Sequence, residues 1–217
     1  MKKFFGNLAL ACGVFAALFV AGGESKASLI TNGSFETGTD PGGFSTPPGI
    51  DTTTIPGWTV SGIDYVGSYW QASDGHRSID MNGNFTIGTV SQDLATVAGQ
   101  TYTIGFDLSG NPDGGPATKT LDVSAAANSS TYTYTTGSNT HSNMLYVSEL
   151  FTFTATSALT TLSFTSATYF VDGSVSAFGP VLDNVHAVPE PSTIALLGLG
   201  GIGLAIGAYR RRRAIAV

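Results

Sequence analysis

Tyr65, Tyr69 and Trp70 cluster among loop-like residues, and flat rings of this kind can lie against the C–H faces of sugars. A second use is open to Trp70, closing the base of a β-sandwich. Further along, Asp80 and Asn82 alternate with Ile79 and Met81. On a strand that alternation sends the polar pair to one face, where a carboxylate and an amide can accept from and donate to hydroxyls. Catalysis is poorly supplied by comparison. His76, His141 and His186 are scattered, with no His-x-x-x-His spacing for a metal. There is no Gly-x-Ser-x-Gly elbow and no phosphate loop. Acids could supply a glycosidase pair, but any acidic surface offers chance pairs roughly 5 to 9 Å apart. His76, in Asp74-Gly75-His76-Arg77, reads as part of a solvated turn. The chemistry on offer is binding, not an enzyme's.

The elements that must position these residues read as all-β. From Thr101 to Leu108, Tyr102, Ile104, Phe106 and Leu108 alternate with polar or small residues. The pattern recurs at Leu121, Val123 and Ala125, at Tyr132 and Tyr134, at Phe151 and Phe153, and at Leu162 and Phe164. Residues 58–61, 78–82, 90–94 and 180–188 are further candidates. Turn-rich stretches such as Asp40-Pro41-Gly42-Gly43 and Asn111-Pro112-Asp113-Gly114-Gly115-Pro116 separate them. Nine or so short strands with such loops predict a two-sheet jelly roll over residues 28–188.

Both ends of the chain read as addresses. Lys2 and Lys3 precede an apolar run from Phe4 to Val20, and Ser25-Lys26-Ala27 offers small residues to a signal peptidase. Residues 1–27 are therefore expected to be a signal peptide, cut after Ala27. Cys12, the single cysteine, lies within it, so the exported domain has no disulfide to staple it. At the other end stand Pro189-Glu190-Pro191, then an uncharged run from Ile194 to Tyr209, then Arg210, Arg211, Arg212 and Arg213. As a helix that run spans about 24 Å, a little short of a hydrocarbon core of about 30 Å. The arginines keep the tail cytoplasmic and place the domain outside. Between the two signals thirteen acids face only Arg77 and Lys119, a net charge of −11. Phosphate backbones would be repelled, which excludes nucleic acid as a partner.

The tail, residues 189–217, resembles the PEP-CTERM sorting signal of Gram-negative bacteria: triplet, short span, basic end. That resemblance implies recognition by an exosortase, transient anchoring in the inner membrane, removal of the tail, and delivery to the cell surface or the extracellular matrix. Within the domain, Asn32-Gly33-Ser34-Phe35-Glu36, then Pro56-Gly57-Trp58, then Leu182-Asp183-Asn184-Val185 look like the galactose-binding-like jelly rolls, DUF642-type proteins among them. Val66-Gly67-Ser68-Tyr69-Trp70-Gln71, Ser78-Ile79-Asp80-Met81-Asn82-Gly83 and Leu108-Ser109-Gly110-Asn111-Pro112 resemble the choice-of-anchor C domain of PEP-CTERM proteins. The wider fold implies sugar binding in many members, and places Trp58 in the core.

In folds of this kind the first and last strands lie side by side, which would bring the carboxylates of Glu36 and Asp183 to one ion. Hard oxygen ligands suit calcium, in a structural role. Asp183 is expected on a strand face with Val181 and Val185, where a carboxylate needs a partner; solvated or capping side chains are the plainer alternative. The expected function is an exported, exosortase-sorted surface or matrix protein that binds or organises exopolysaccharide. The alternatives are a structural surface protein with a protein partner or self-association, and a polysaccharide-degrading enzyme.

Overall fold

The computed structural model describes residues 29–188. The expected signal peptide with Cys12, the triplet 189–191, the apolar run 194–209 and the arginines 210–213 lie outside the described residues. In chain order the strands are β1 Phe44–Ser45, β2 Ile50–Asp51, β3 Thr59–Ser61, β4 Asp64–Val66, β5 Ser78–Asp80 and β6 Thr89–Ala95. There follow β7 Thr101–Gly110, β8 Thr118–Ala125, β9 Asn128–Thr135, β10 Val147–Thr154, β11 Leu159–Ser166 and β12 Pro180–Val188. They form two six-stranded sheets, ordered β1-β4-β5-β12-β7-β10 and β2-β3-β6-β11-β8-β9. All pairings are antiparallel, and the result is an all-β jelly-roll sandwich.

Alternation makes the core. Ile104, Phe106 and Leu108 of β7 meet Leu121 and Val123 of β8 and Leu162 and Phe164 of β11. Phe106 sets its edge against Phe164 at 5.3 Å, a geometry the ring quadrupoles favour. This core runs from Ile30 to Val185 and is enclosed by both sheets, so the described residues hold a two-layer core of their own. Each stretch read as a strand is one. The strands not anticipated, β1, β2 and β4, span two or three residues, too few for alternation to show.

The motifs at the two ends hold each other. Val185 N–H donates to the Gly33 carbonyl at 2.8 Å. A Cβ on Gly33 would lie 1.7 Å from the Val185 carbonyl oxygen, so only glycine fits there. Asn32 donates through Nδ2 to the carbonyls of Thr37 and Pro56, and Trp58 Nε1 donates to the Asn32 carbonyl. Phe35 then packs on Trp58, ring centroids 5.3 Å apart. One expectation for β12 is corrected. Asp183 does not share a face with Val185, because a bulge with Asn184 at φ 50° shifts the register and turns Val185 into the core.

Candidate functional site

The outer face of the first sheet is the unusual surface. Across it Phe44 lies opposite Val66, Val66 opposite Ser78, Asp64 opposite Asp80, and Asp80 opposite Val181. Loops fold over this face, and Val66, Trp70, Met144 and Val181 form a second small core with Tyr146. Trp70 is 6% exposed, and its Nε1 donates to Ser78 Oγ at 2.8 Å. It is an anchor whose remaining edge borders open space.

That space is a pocket of about 250 Å³, walled by Phe44, Tyr69, Trp70, Phe85 and Phe178 and by Asp64, Asp80, Asn111 and Asp113. Phe44 and Phe85 are 52% and 66% exposed and, with Tyr69, place a cluster of exposed rings around one pocket. Asn84 and Phe85 both take left-handed backbone angles, φ 51° and 61°, uncommon for such residues, and Phe85 is left out in solvent. Tyr69 packs edge-on against Phe44 at 5.4 Å and tilts over His141 at 4.6 Å. Its hydroxyl donates to Asp113 Oδ2 at 3.0 Å, while His141 Nε2 lies 2.6 Å from Asp113 Oδ1. Strand β1 and two loops thus fix one ring.

Asp80 forms the floor. Its carboxylate accepts from Asn111 Nδ2 at 2.7 Å and from the backbone N–H groups of Asn82 and Gly179 at 2.9 Å each. Burial nonetheless pushes its pKa up to about 7, against the opposing effect of those donors. Burial also raises Asp64, which accepts a short hydrogen bond from the Thr46 hydroxyl. Lys119 is fully buried and donates to the carbonyls of Gly114 and Phe178 at 2.7 Å each, tying together two loops that border the pocket. Burial pushes its pKa down to about 8.

Of the residues expected to face a ligand, the structure brings Tyr69, Trp70 and Asp80 to the pocket. Tyr65 and Asn82 are corrected: both are 0% exposed. Tyr65 belongs to the inner face of β4, where its hydroxyl donates to the Phe35 carbonyl at 2.5 Å and accepts from Arg77 Nη1 at 2.7 Å. Asn82 Nδ2 donates to the carbonyls of Thr168 and Ser176, pinning loops rather than facing solvent. The polar face foreseen for Asp80 is likewise covered, since all of β5 is buried. Phe44, Phe85, Asp64, Asp113 and His141 escaped the sequence reading. Only Phe85, an aromatic in the turn-like Asn82-Gly83-Asn84-Phe85, carried any local hint; Phe44 and Asp64 arrive through strand register, and Asp113 and His141 through loops distant in sequence.

Glu36 and Asp183 hold opposite ends of one loop, residues 73–77. Glu36 Oε1 accepts from the N–H groups of His76 and Arg77 at 2.8 and 2.7 Å. Asp183 Oδ2 accepts from Ser73 and Asp74 at 2.7 and 3.0 Å, and its Oδ1 from Asn184 at 2.6 Å. Burial still pushes Asp183 up to about 7. Among the described residues no group of three or more His, Cys, Asp or Glu side chains gathers as metal ligands. A cation here would lean on these two carboxylates and on backbone carbonyls.

Fold and pocket together define a jelly-roll domain with an aromatic, carboxylate-lined cleft on one sheet. The profile described as "Protein of unknown function (DUF642)" matches residues 28–188, and the chain belongs to that family. The PEP-CTERM protein-sorting motif matches residues 187–213, which marks the chain for export and sorting to the cell surface. Halomucin of Haloquadratum walsbyi is 32% identical over 181 residues, 77% of this chain but 2% of that protein. Among solved structures, TmCBM61 in complex with beta-1,4-galactotriose aligns over 76% of this chain and 99% of its own, at 14% identity and TM-score 0.46. CBM35 from Paenibacillus barcinonensis aligns over 62% and 94%, at 17% identity and TM-score 0.43.

Proposed function

We propose that this domain is a non-catalytic glycan-binding module displayed at the surface or in the extracellular matrix of a Gram-negative cell. Signal peptidase and an exosortase would process it on the way, with a transient stay in the inner membrane. The observation that carries the reading is the pocket's combination of exposed Phe44, Phe85 and Tyr69 rings with the carboxylates of Asp64 and Asp113. Rings offer apolar faces to sugar C–H groups, and carboxylates accept from hydroxyls. No lysine or arginine lines the pocket, so uronic or sulfated chains find only repulsion there. Affinity electrophoresis of residues 28–188 through gels of uncharged polysaccharide tests this. Retention should vanish in Tyr69→Ala and Phe85→Ala with the circular dichroism of the sheets unchanged. Retention undiminished in both variants would place binding elsewhere.

We propose, separately, that calcium reinforces the clamp of Glu36 and Asp183 on residues 73–77. The support is a deeply buried Asp183 carboxylate whose partners are all neutral N–H groups.

A further inference from the structure

We propose that the pocket selects glycans bearing free amino groups, with the ammonium of an amino sugar seated against Asp64 above Asp80. This rests on the glycan-binding reading and narrows it. The exposed rings define the site; the carboxylates decide which sugar enters.

Asp64 and Asp80 stand directly opposite each other on β4 and β5, on the same face. Like charges in that arrangement repel, and burial makes the repulsion costlier. Such a pair is relieved when one carboxyl keeps its proton or when a cation comes between the two. Here the domain has only Arg77 and Lys119 to offer. Arg77 Nη1 is committed to the Gly38 carbonyl and the Tyr65 hydroxyl. Lys119 Nζ is committed to the Gly114 and Phe178 carbonyls, close enough to Asp80 to attract it but not in contact. The pair therefore meets the pocket with no countercharge touching it, and a cationic ligand entering there would supply one.

The rest of the lining says what kind of cation that is. A hard metal ion wants six to eight oxygens, whereas Phe44, Tyr69, Trp70, Phe85 and Phe178 supply ring faces and edges. Ring faces attract an organic ammonium within about 6 Å. Asn111 is spent on Asp80 and on the Asp113 N–H, while the Asp113 carboxylate keeps lone pairs at the rim, adding to the pull on a cation and accepting from neighbouring hydroxyls. An N-acetylated sugar offers the same ring but a neutral amide where the charge should be. A uronic acid brings the wrong sign.

Isothermal titration of residues 28–188 with a β-1,4-linked glucosamine trimer, and with its fully N-acetylated counterpart, tests the proposal in chelator at physiological salt. The free-amine trimer should bind about tenfold more tightly, as expected for one charge-assisted contact. Asp64→Asn should erase that preference, while Asp122→Asn should keep it. Asp122 is exposed on β8, in the other sheet, so its removal changes net charge equally without touching the pocket. Asp113→Asn, at the pocket rim, is the second variant should Asp64→Asn fail to fold, and it should reduce the preference. Equal affinity for both trimers overturns the amino-sugar proposal and leaves glycan binding standing. Equal losses in Asp64→Asn and Asp122→Asn overturn it too, since they report only long-range attraction. No binding of either trimer or of any uncharged glycan overturns both readings.

Discussion

Replacing Trp70 and Tyr69 in turn separates anchor from platform. Trp70 is nearly buried against Val66, Met144 and Val181, with its indole N–H bonded to Ser78. Truncating a buried Trp to Ala costs about 3–5 kcal/mol, and an orphaned partner adds about 1 kcal/mol. In a domain of this length each kcal/mol moves the melting temperature by about 2–4 °C, so Trp70→Ala should lower it by roughly 10–20 °C. Tyr69 is 41% exposed and its hydroxyl makes one bond to Asp113. Tyr69→Ala forfeits about 1 kcal/mol from that bond, or roughly 2–4 °C, yet should abolish glycan retention. Trp70→Phe keeps most of the volume and should fall between the two in stability. Calorimetry and affinity electrophoresis on the same preparations give both readings. If Trp70→Ala melts within 2 °C or so of the parent, about the shift from a single kcal/mol, Trp70 is not the anchor and the account of the second small core is wrong.

Other outcomes follow from the buried polar groups. Tyr65→Phe should destabilise by about 1–2 kcal/mol without changing glycan affinity, because Arg77 loses a partner that no ligand touches; an affinity change would contradict the burial of Tyr65. Asp80 and Asp183 have folded-state pKa values of about 7, above their ordinary 3.8, so the stability they contribute is full below about 3.8 and is lost as pH rises through about 7. Stability in chelator should therefore fall between pH 5 and pH 8, by at most roughly 3 kcal/mol for each carboxylate, and a melting point that rises over that interval refutes the assignment. With calcium present at 100 times its dissociation constant, binding adds about 2.7 kcal/mol. Chelator should remove that increment in the parent and have no effect in Asp183→Ala; a parent indifferent to chelator has no such ion.

How much of this was legible depends on how local each feature is. The long strands announce themselves because Ile104, Phe106 and Leu108, or Leu162 and Phe164, alternate on one side of a sheet over many residues. The bulge in β12 does not, since an Asn184 in the left-handed region looks in sequence like any other asparagine. That single residue moves Val185 from the face of Asp183 to the core. Tyr65 misled for a related reason: β4 is three residues long, so nothing local says which side of it faces in. The pocket was half visible. Tyr69 and Trp70 are neighbours in sequence, whereas Asp113 and His141 reach Tyr69 only because loops after β7 and β9 fold back over the first sheet. Asp64 opposite Asp80 is a matter of register, which no spacing along the chain reveals.

The central claim is where the glycan sits. Amide chemical-shift mapping of residues 28–188 titrated with oligosaccharide addresses it without any substitution. The account predicts that the largest shifts fall at Phe44, Asp64, Tyr69, Phe85 and Asp113, around the pocket on the outer face of the first sheet. Shifts confined to β2, β3, β6, β8, β9 and β11, with those residues unmoved, would contradict it.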